Sequence, residues 1–60
     1  MKIANTAQEF IDVKALGTYA EDYKNGEIWE YNGELWYLSH LELSPRELRE
    51  LIYAYEVTRF

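Results

Sequence analysis

The stretch IWEYNGELWYL, residues 28–38, carries the strongest structural signal in the sequence. Asn32-Gly33 is a preferred pair in two-residue type I′ turns, because both central positions need a positive φ. A turn at this point predicts an antiparallel two-stranded hairpin over about residues 27–38. The cross-strand pairs in this register are Tyr31–Glu34, Glu30–Leu35, Trp29–Trp36 and Ile28–Tyr37.

Both faces of this hairpin are strongly apolar. Paired residues share a face, so the register assigns every side chain to one side. One face carries Glu27, Trp29, Tyr31, Glu34, Trp36 and Leu38, and the other carries Ile28, Glu30, Leu35 and Tyr37. An isolated hairpin is marginal in water. We therefore expect helices to cover one face as the core, and a partner to cover the other face.

The clearest helix lies at the end of the chain, over about residues 45–57. Ser44 and Glu47 form a capping-box pattern, and Pro45 falls at the first helical position, where proline is favoured. The apolar stripe recurs at helical spacing and consists of Leu48, Leu51, Ile52 and Tyr55. Tyr53 lies off this stripe, and it belongs either to the edge of the core or to an interface.

The first third of the chain is predicted to be helical but broken. Thr6 and Glu9 form a capping-box pattern before a short first helix that ends near residue 11. Asp12 caps a second helix. The second helix has one shared face, formed by Val13, Leu16, Ala20 and Tyr23. Gly17 either lies inside this helix, at a cost of about 1 kcal/mol relative to alanine, or ends it so that Thr18 caps another. Residues 25–26, Asn-Gly, end the helical region in both cases.

The length of the chain favours one small domain that associates with a second copy. Sixty residues bury only about 60% of the surface that the unfolded chain exposes. The chain has no cysteine and one histidine, which excludes disulfides and argues against a zinc site. We expect an α+β domain over residues 1–60, with short N-terminal helices, the hairpin and a C-terminal helix. We expect a homodimer with no metal or other cofactor.

The formal net charge of −5 is concentrated in one part of the sequence. Between Glu21 and Glu42 there are six acidic residues and one basic residue, whereas acids and bases balance elsewhere. Because phosphate contacts need Lys and Arg, direct binding to nucleic acid is not expected. The acidity either provides solubility or forms a binding surface for a protein. The residues expected to bind a partner are Glu21, Asp22, Glu27, Trp29, Glu30, Tyr31, Glu34 and Trp36.

Catalysis and membrane insertion are not expected. Ser39 and His40 are neighbours, and neighbours in a strand point to opposite faces, so His40 is interpreted as a loop or surface residue. The glutamates at 27, 30 and 34 lack the loop pattern of a calcium site. No apolar run approaches the length of a membrane span, and the N-terminus lacks the apolar core of a signal peptide. We therefore expect a cytoplasmic protein that is not an enzyme.

Residues 10–38, FIDVKALGTYAEDYKNGEIWEYNGELWYL, resemble the C-terminal segment of the ArdA antirestriction proteins. The matching residues are Phe10, Ile11, Asp12, Leu16, Gly17, Asp22, Gly26, Gly33 and Leu35. ArdA proteins come from phages and conjugative elements, and they are acidic, dimeric DNA mimics that occupy the DNA groove of type I restriction enzymes. The resemblance implies a phage- or mobile-element protein that inhibits a nucleic-acid-handling host protein in the host cytoplasm.

Two other functions remain open from the sequence. One is a non-catalytic dimerising or regulatory module, either antitoxin-like or a phage structural or accessory protein, with ordinary surface acidity. The other is a small DNA-binding domain that uses the two early helices as a helix-turn-helix. The acidic balance disfavours this second function, because it leaves no basic face.

Overall fold

The computed structural model describes residues 1–58. The elements in chain order are β1 (Lys2–Ile3), α1 (Ala7–Leu16), β2 (Thr18–Tyr23), β3 (Gly26–Tyr31), β4 (Glu34–Ser39) and α2 (Pro45–Thr58). The predicted α+β class is confirmed. The sheet, however, has four strands in the order β1-β4-β3-β2, so the predicted two-stranded hairpin is only its centre.

The predicted hairpin register is confirmed in full. β3 and β4 pair antiparallel, with Trp29 opposite Trp36 and Ile28 opposite Tyr37. Asn32 has φ 53° and Gly33 has φ 75°, as a type I′ turn requires. Two residues of β1 pair with β4 in parallel.

The prediction for residues 18–23 is wrong, because this segment is a strand rather than a helix. α1 is one unbroken helix with Asp12 inside it, and it ends where the Gly17 N–H donates to the Val13 carbonyl at 2.8 Å. Thr18 therefore opens β2 and caps no helix. The segment TYAEDY contains residue types that favour strands, and pairing with β3 satisfies its backbone groups. The register shifts between Tyr19 and Glu21, which marks a β-bulge.

Two of the capping patterns are confirmed. The Glu9 N–H donates to Thr6 Oγ1 at 3.2 Å at the start of α1, and the Glu47 N–H donates to Ser44 Oγ at 3.2 Å at the start of α2. Each hydroxyl satisfies a backbone donor that lacks an intrahelical partner. The C-terminal helix was predicted over residues 45–57 and is observed over Pro45–Thr58.

Helix α2 packs on the sheet face that carries Ile28 and Tyr37, which we call the α2 face. The buried cluster on this face consists of Ile28, Tyr37, Leu48, Ile52 and Tyr55. Two tyrosine hydroxyls fix the helix to β2: Tyr23 donates to the Leu51 carbonyl at 2.6 Å and Tyr55 donates to Glu21 Oε1 at 2.5 Å. The predicted apolar stripe of α2 is thus the main core.

Helix α1 lies on the opposite side of the sheet, which we call the α1 face. The Lys14 Nζ lies 5.9 Å from the centroid of the Trp29 ring, and the rings of Phe10 and His40 are 6.3 Å apart. Val13 and Leu38 are fully buried on this side. Helices therefore contact both faces, and the expectation that they cover one face only is wrong.

Candidate protein-binding surface

The eight residues predicted to bind a partner lie on both faces of the sheet. The register places Asp22 beside Glu27, and alternation along the strands places Glu21 and Glu30 on the α2 face. The residues on the α1 face are Asp22, Glu27, Trp29, Tyr31, Glu34 and Trp36. The structure therefore does not place the eight predicted residues on a single surface.

Glu27 is the centre of a polar network on the α1 face. Its Oε1 accepts a hydrogen bond from Trp29 Nε1 at 2.9 Å and lies 3.6 Å from Lys14 Nζ. Its Oε2 lies 3.6 Å from His40 Nε2. The Trp29 hydrogen bond lowers the pKa of the Glu27 carboxyl, with smaller contributions from Lys14 and His40, while burial opposes the shift. Glu27 therefore connects β3 to α1 and to the loop after β4.

A second cluster of the same composition surrounds Trp36. Lys2 Nζ lies 5.5 Å from the centroid of the Trp36 ring and 3.3 Å from Glu34 Oε2. The Tyr31 ring packs edge-on against Trp36 at 5.9 Å. Each tryptophan thus has a lysine above its ring, and that lysine is paired with a glutamate, an arrangement in which the cation contacts both groups. Unlike Trp29, Trp36 has a buried Nε1 with no acceptor among residues 1–58.

Three of the predicted carboxylates are exposed: Asp22, Glu30 and Glu34. Asp22 Oδ1 accepts a hydrogen bond from the Tyr19 hydroxyl at 2.9 Å, and this hydrogen bond raises the pKa of Tyr19. Within the described part of the chain, no cation pairs with Asp22 or Glu30. Asp22 and Glu30 are therefore available to a partner, and Glu34 stays exposed although it pairs with Lys2, whereas Glu27 is held within the fold.

The sequence missed two features of the surface. The first is the pairing of His40 with Glu27, which joins residues 13 positions apart in the sequence and which local patterns do not indicate. The second is a groove of about 670 Å³ between α2 and the start of β4. Its lining residues are Met1, Glu34, Leu35, Tyr53, Tyr55, Glu56 and Val57. The position of Tyr53 off the core stripe was the one sequence signal for this groove.

The hydroxyl of Ser39, the sequence neighbour of His40, bonds to the backbone of Leu41. The neighbouring Ser39 Oγ donates to the Leu41 carbonyl at 2.8 Å and accepts from the Leu41 N–H at 3.1 Å. Residues 1–58 contain no group of three or more His, Cys, Asp or Glu side chains arranged to hold a metal ion. Over the same residues, no helix combines the length and the apolar character needed to cross a bilayer.

Comparison with known proteins identifies no relative: no protein-family model, no curated protein and no solved structure matches this chain. The resemblance to the ArdA proteins therefore stays a prediction from the residues that carry it.

Proposed function

We propose that this protein is a small, non-catalytic inhibitor that binds a basic, nucleic-acid-handling host protein. The observation that carries the proposal is the position of the acidic excess. Six acidic residues and one basic residue lie between Glu21 and Glu42, a segment that includes most of β2 and all of β3 and β4. The charge of the protein is thus concentrated on its sheet.

The three exposed carboxylates lie on three adjacent strands. Asp22, Glu30 and Glu34 belong to β2, β3 and β4 respectively, and neighbouring strands are about 4.8 Å apart. Since Asp22 and Glu34 are on the α1 face and Glu30 is on the α2 face, the charges surround the sheet. This arrangement suits a basic cleft that contacts the exposed carboxylates beside the two helices, and long-range attraction accelerates association with such a cleft.

The resemblance of residues 10–38 to the ArdA proteins supports an antirestriction or other anti-defence role, with DNA mimicry as the mode of binding. A protein of this kind is encoded by a phage or mobile element, acts in the cytoplasm of the host and is a homodimer. Its target is a protein that binds DNA, and the inhibitor itself makes no direct contact with nucleic acid.

A restriction assay tests the proposal. Bacteria with an active type I restriction system are infected with unmodified phage, with and without expression of this protein, and the efficiency of plating is measured. We expect expression to raise the efficiency of plating. Unchanged plating, in cells where the folded protein is detected, would reject the antirestriction role.

A matched pair of variants tests the role of the exposed carboxylates. The sheet variant carries Asp22→Asn, Glu30→Gln and Glu34→Gln. The control removes the same charge outside the acidic segment through Asp12→Asn, Glu47→Gln and Glu50→Gln, since Gln preserves the capping box at position 47. We expect only the sheet variant to lose inhibition, because exposed carboxylates contribute little to folding. Equal inhibition of restriction by both variants would mean that the exposed carboxylates provide solubility and do not bind the target.

The alternative function is a dimerising regulatory or accessory module. The outer side of α2 favours it, because Tyr53 is 70% exposed and Val57 is 53% exposed there. Self-association is compatible with both functions.

A further inference from the structure

The outward side of α2 carries a second stripe at helical spacing. Its members are Arg46, Arg49, Tyr53 and Glu56, separated by three, four and three residues. This is the spacing of the contact positions in paired helices. We propose that two copies of the chain associate through this stripe, with their α2 helices antiparallel across a two-fold axis.

The two ends of the stripe have opposite charge. Tyr53 forms a wall of two neighbouring grooves. The groove toward the C-terminal end of α2 is lined by two carboxylates, Glu34 and Glu56, and by Met1, whose ammonium pairs with Glu56. The groove toward the N-terminal end is lined by two guanidinium groups, Arg46 and Arg49, and by the carboxylate of Glu50, so the first groove keeps an excess of negative charge and the second an excess of positive charge. An antiparallel arrangement places the acidic groove of each copy against the basic groove of the other.

The spacing also sets a register for the pair. In an antiparallel pair of helices, each contact layer combines the two kinds of contact position. One register places Arg46 beside Glu56 of the second copy and Arg49 beside Tyr53 of the second copy. The two-fold axis repeats both contacts, as in any isologous interface. The result is two ion pairs and two contacts between a guanidinium and an aromatic ring.

The present partners of the stripe residues do not oppose this pairing. Arg49 has no ion pair within residues 1–58. Arg46 contacts Glu50 at 3.6 Å, but both side chains are largely exposed, and such pairs contribute only about 0–1 kcal/mol. Glu56 is paired with the N-terminal ammonium at 3.0 Å while its side chain stays 48% exposed. Each charge is thus accessible to a second copy.

The apolar parts of the two grooves also match. In the proposed register Val57 lies opposite Pro45 of the second copy, and Leu35 lies beside the same contact. Val57 is 53% exposed and Leu35 is 40% exposed, so burying them removes apolar surface from water. The facing surface is one helix of about 21 Å, which is small for a stable dimer. We therefore expect dissociation in the micromolar range.

Sedimentation equilibrium across the micromolar range tests the proposal. We expect a reversible monomer–dimer equilibrium that weakens as salt is added, because the contacts are ionic. Tyr53→Ala should weaken the dimer at least about tenfold, because exposed aromatics are frequent hot spots. Its circular dichroism should be unchanged, since Tyr53 is 70% exposed.

Charge reversal provides a sharper test. Arg46→Glu makes both ends of the stripe acidic, and Glu56→Arg makes both ends basic. Because Glu56→Arg also removes the partner of the N-terminal ammonium, circular dichroism and thermal unfolding first establish that each variant is folded, and each folded variant alone should then be monomeric. An equimolar mixture of the two should form a heterodimer, because both ion pairs are then restored with reversed sign. Lys24→Glu is the control: it reverses a charge in the β2–β3 turn, away from the stripe, and should leave dimerisation unchanged.

Two outcomes would overturn the proposal. A monomer at all concentrations means that the stripe faces solvent or a different partner. A dimer that survives both single reversals, with no preference for the mixed pair, means that the copies associate elsewhere. A monomer would also remove the homodimer from the proposed function, but inhibition of a host protein is measured separately by the plating assay, so failure of the two proposals can be distinguished.

Discussion

A hydrogen bond joins Trp29 to Glu27 within β3: the indole Nε1 donates to the carboxylate Oε1 at 2.9 Å. The two residues share the α1 face because alternate residues of a strand point the same way. Lys14 from α1 reaches the same carboxylate at 3.6 Å. Glu27 therefore contacts both Trp29 of its own strand and Lys14 of α1, and these contacts attach α1 to β3.

The two tryptophans should respond differently to replacement by phenylalanine. Trp29→Phe removes the donor to Glu27, and hydrogen bonds to charged groups contribute about 1.5–3 kcal/mol. Trp36→Phe deletes a buried Nε1 that has no acceptor within the described residues, so it loses no hydrogen bond. We expect Trp29→Phe to be more destabilising by about 1–2 kcal/mol. Urea unfolding of both variants measures this, and equal losses would contradict it.

Acid stability should depend on Glu27. Its pKa is lowered below the ordinary value of 4.5, first by the Trp29 indole and also by Lys14 and His40. A carboxyl with a lowered folded pKa stabilises the fold above its unfolded pKa, and this contribution disappears as pH falls through the folded value. Glu27→Gln should therefore be less stable than the parent at neutral pH. The difference should narrow as pH falls below about 4.5.

Thermal unfolding of the parent and Glu27→Gln between neutral and acid pH measures this narrowing. Glu30→Gln is the control, since this exposed carboxylate has no cation beside it in residues 1–58 and its removal should change stability little at any pH. If the difference in stability between the parent and Glu27→Gln stays constant with pH, the Glu27 carboxylate does not make this contribution to stability.

Gly26 and Gly33 should tolerate alanine to different degrees, for different reasons. A Cβ at Gly26 would collide with the Leu38 carbonyl and approach the Tyr37 ring at 2.9 Å. This crowding should destabilise the protein by about 2 kcal/mol or more. A Cβ at Gly33 meets no atom within 4 Å, and its cost is the positive φ of 75°, about 1 kcal/mol. In urea unfolding, Gly26→Ala should have the lower free energy of unfolding of the two variants. The reverse order would contradict the close packing around Gly26.

Duplex DNA should not bind measurably at physiological salt. The sheet carries most of the acidic excess, and phosphate contacts depend on Lys and Arg. Fluorescence anisotropy with a labelled duplex checks this, with a basic DNA-binding domain as the positive control. Sub-micromolar binding would contradict both the inhibitor proposal and the dismissal of a helix-turn-helix function.

The candidate surface was only partly predictable. The sequence identified the acidic segment and the two faces of the hairpin, because charge and alternation are local properties. It did not separate Glu27, which is held by Trp29 and Lys14, from Glu30, which is exposed. That difference depends on where α1 packs, and no pattern within the hairpin contains this information.

The sequence by itself determined the hairpin register, the α2 helix and the start of α1. Each follows from interactions over a few residues: positive φ at Asn32-Gly33, capping by Thr6 and Ser44, and apolar spacing in α2. The tertiary structure decided that residues 18–23 form a strand and that the helices lie on opposite faces. It also decided that β1 pairs in parallel with β4. The hydrogen-bond partners of these segments come from other strands, and the energy of such pairing does not show in the local pattern of residues.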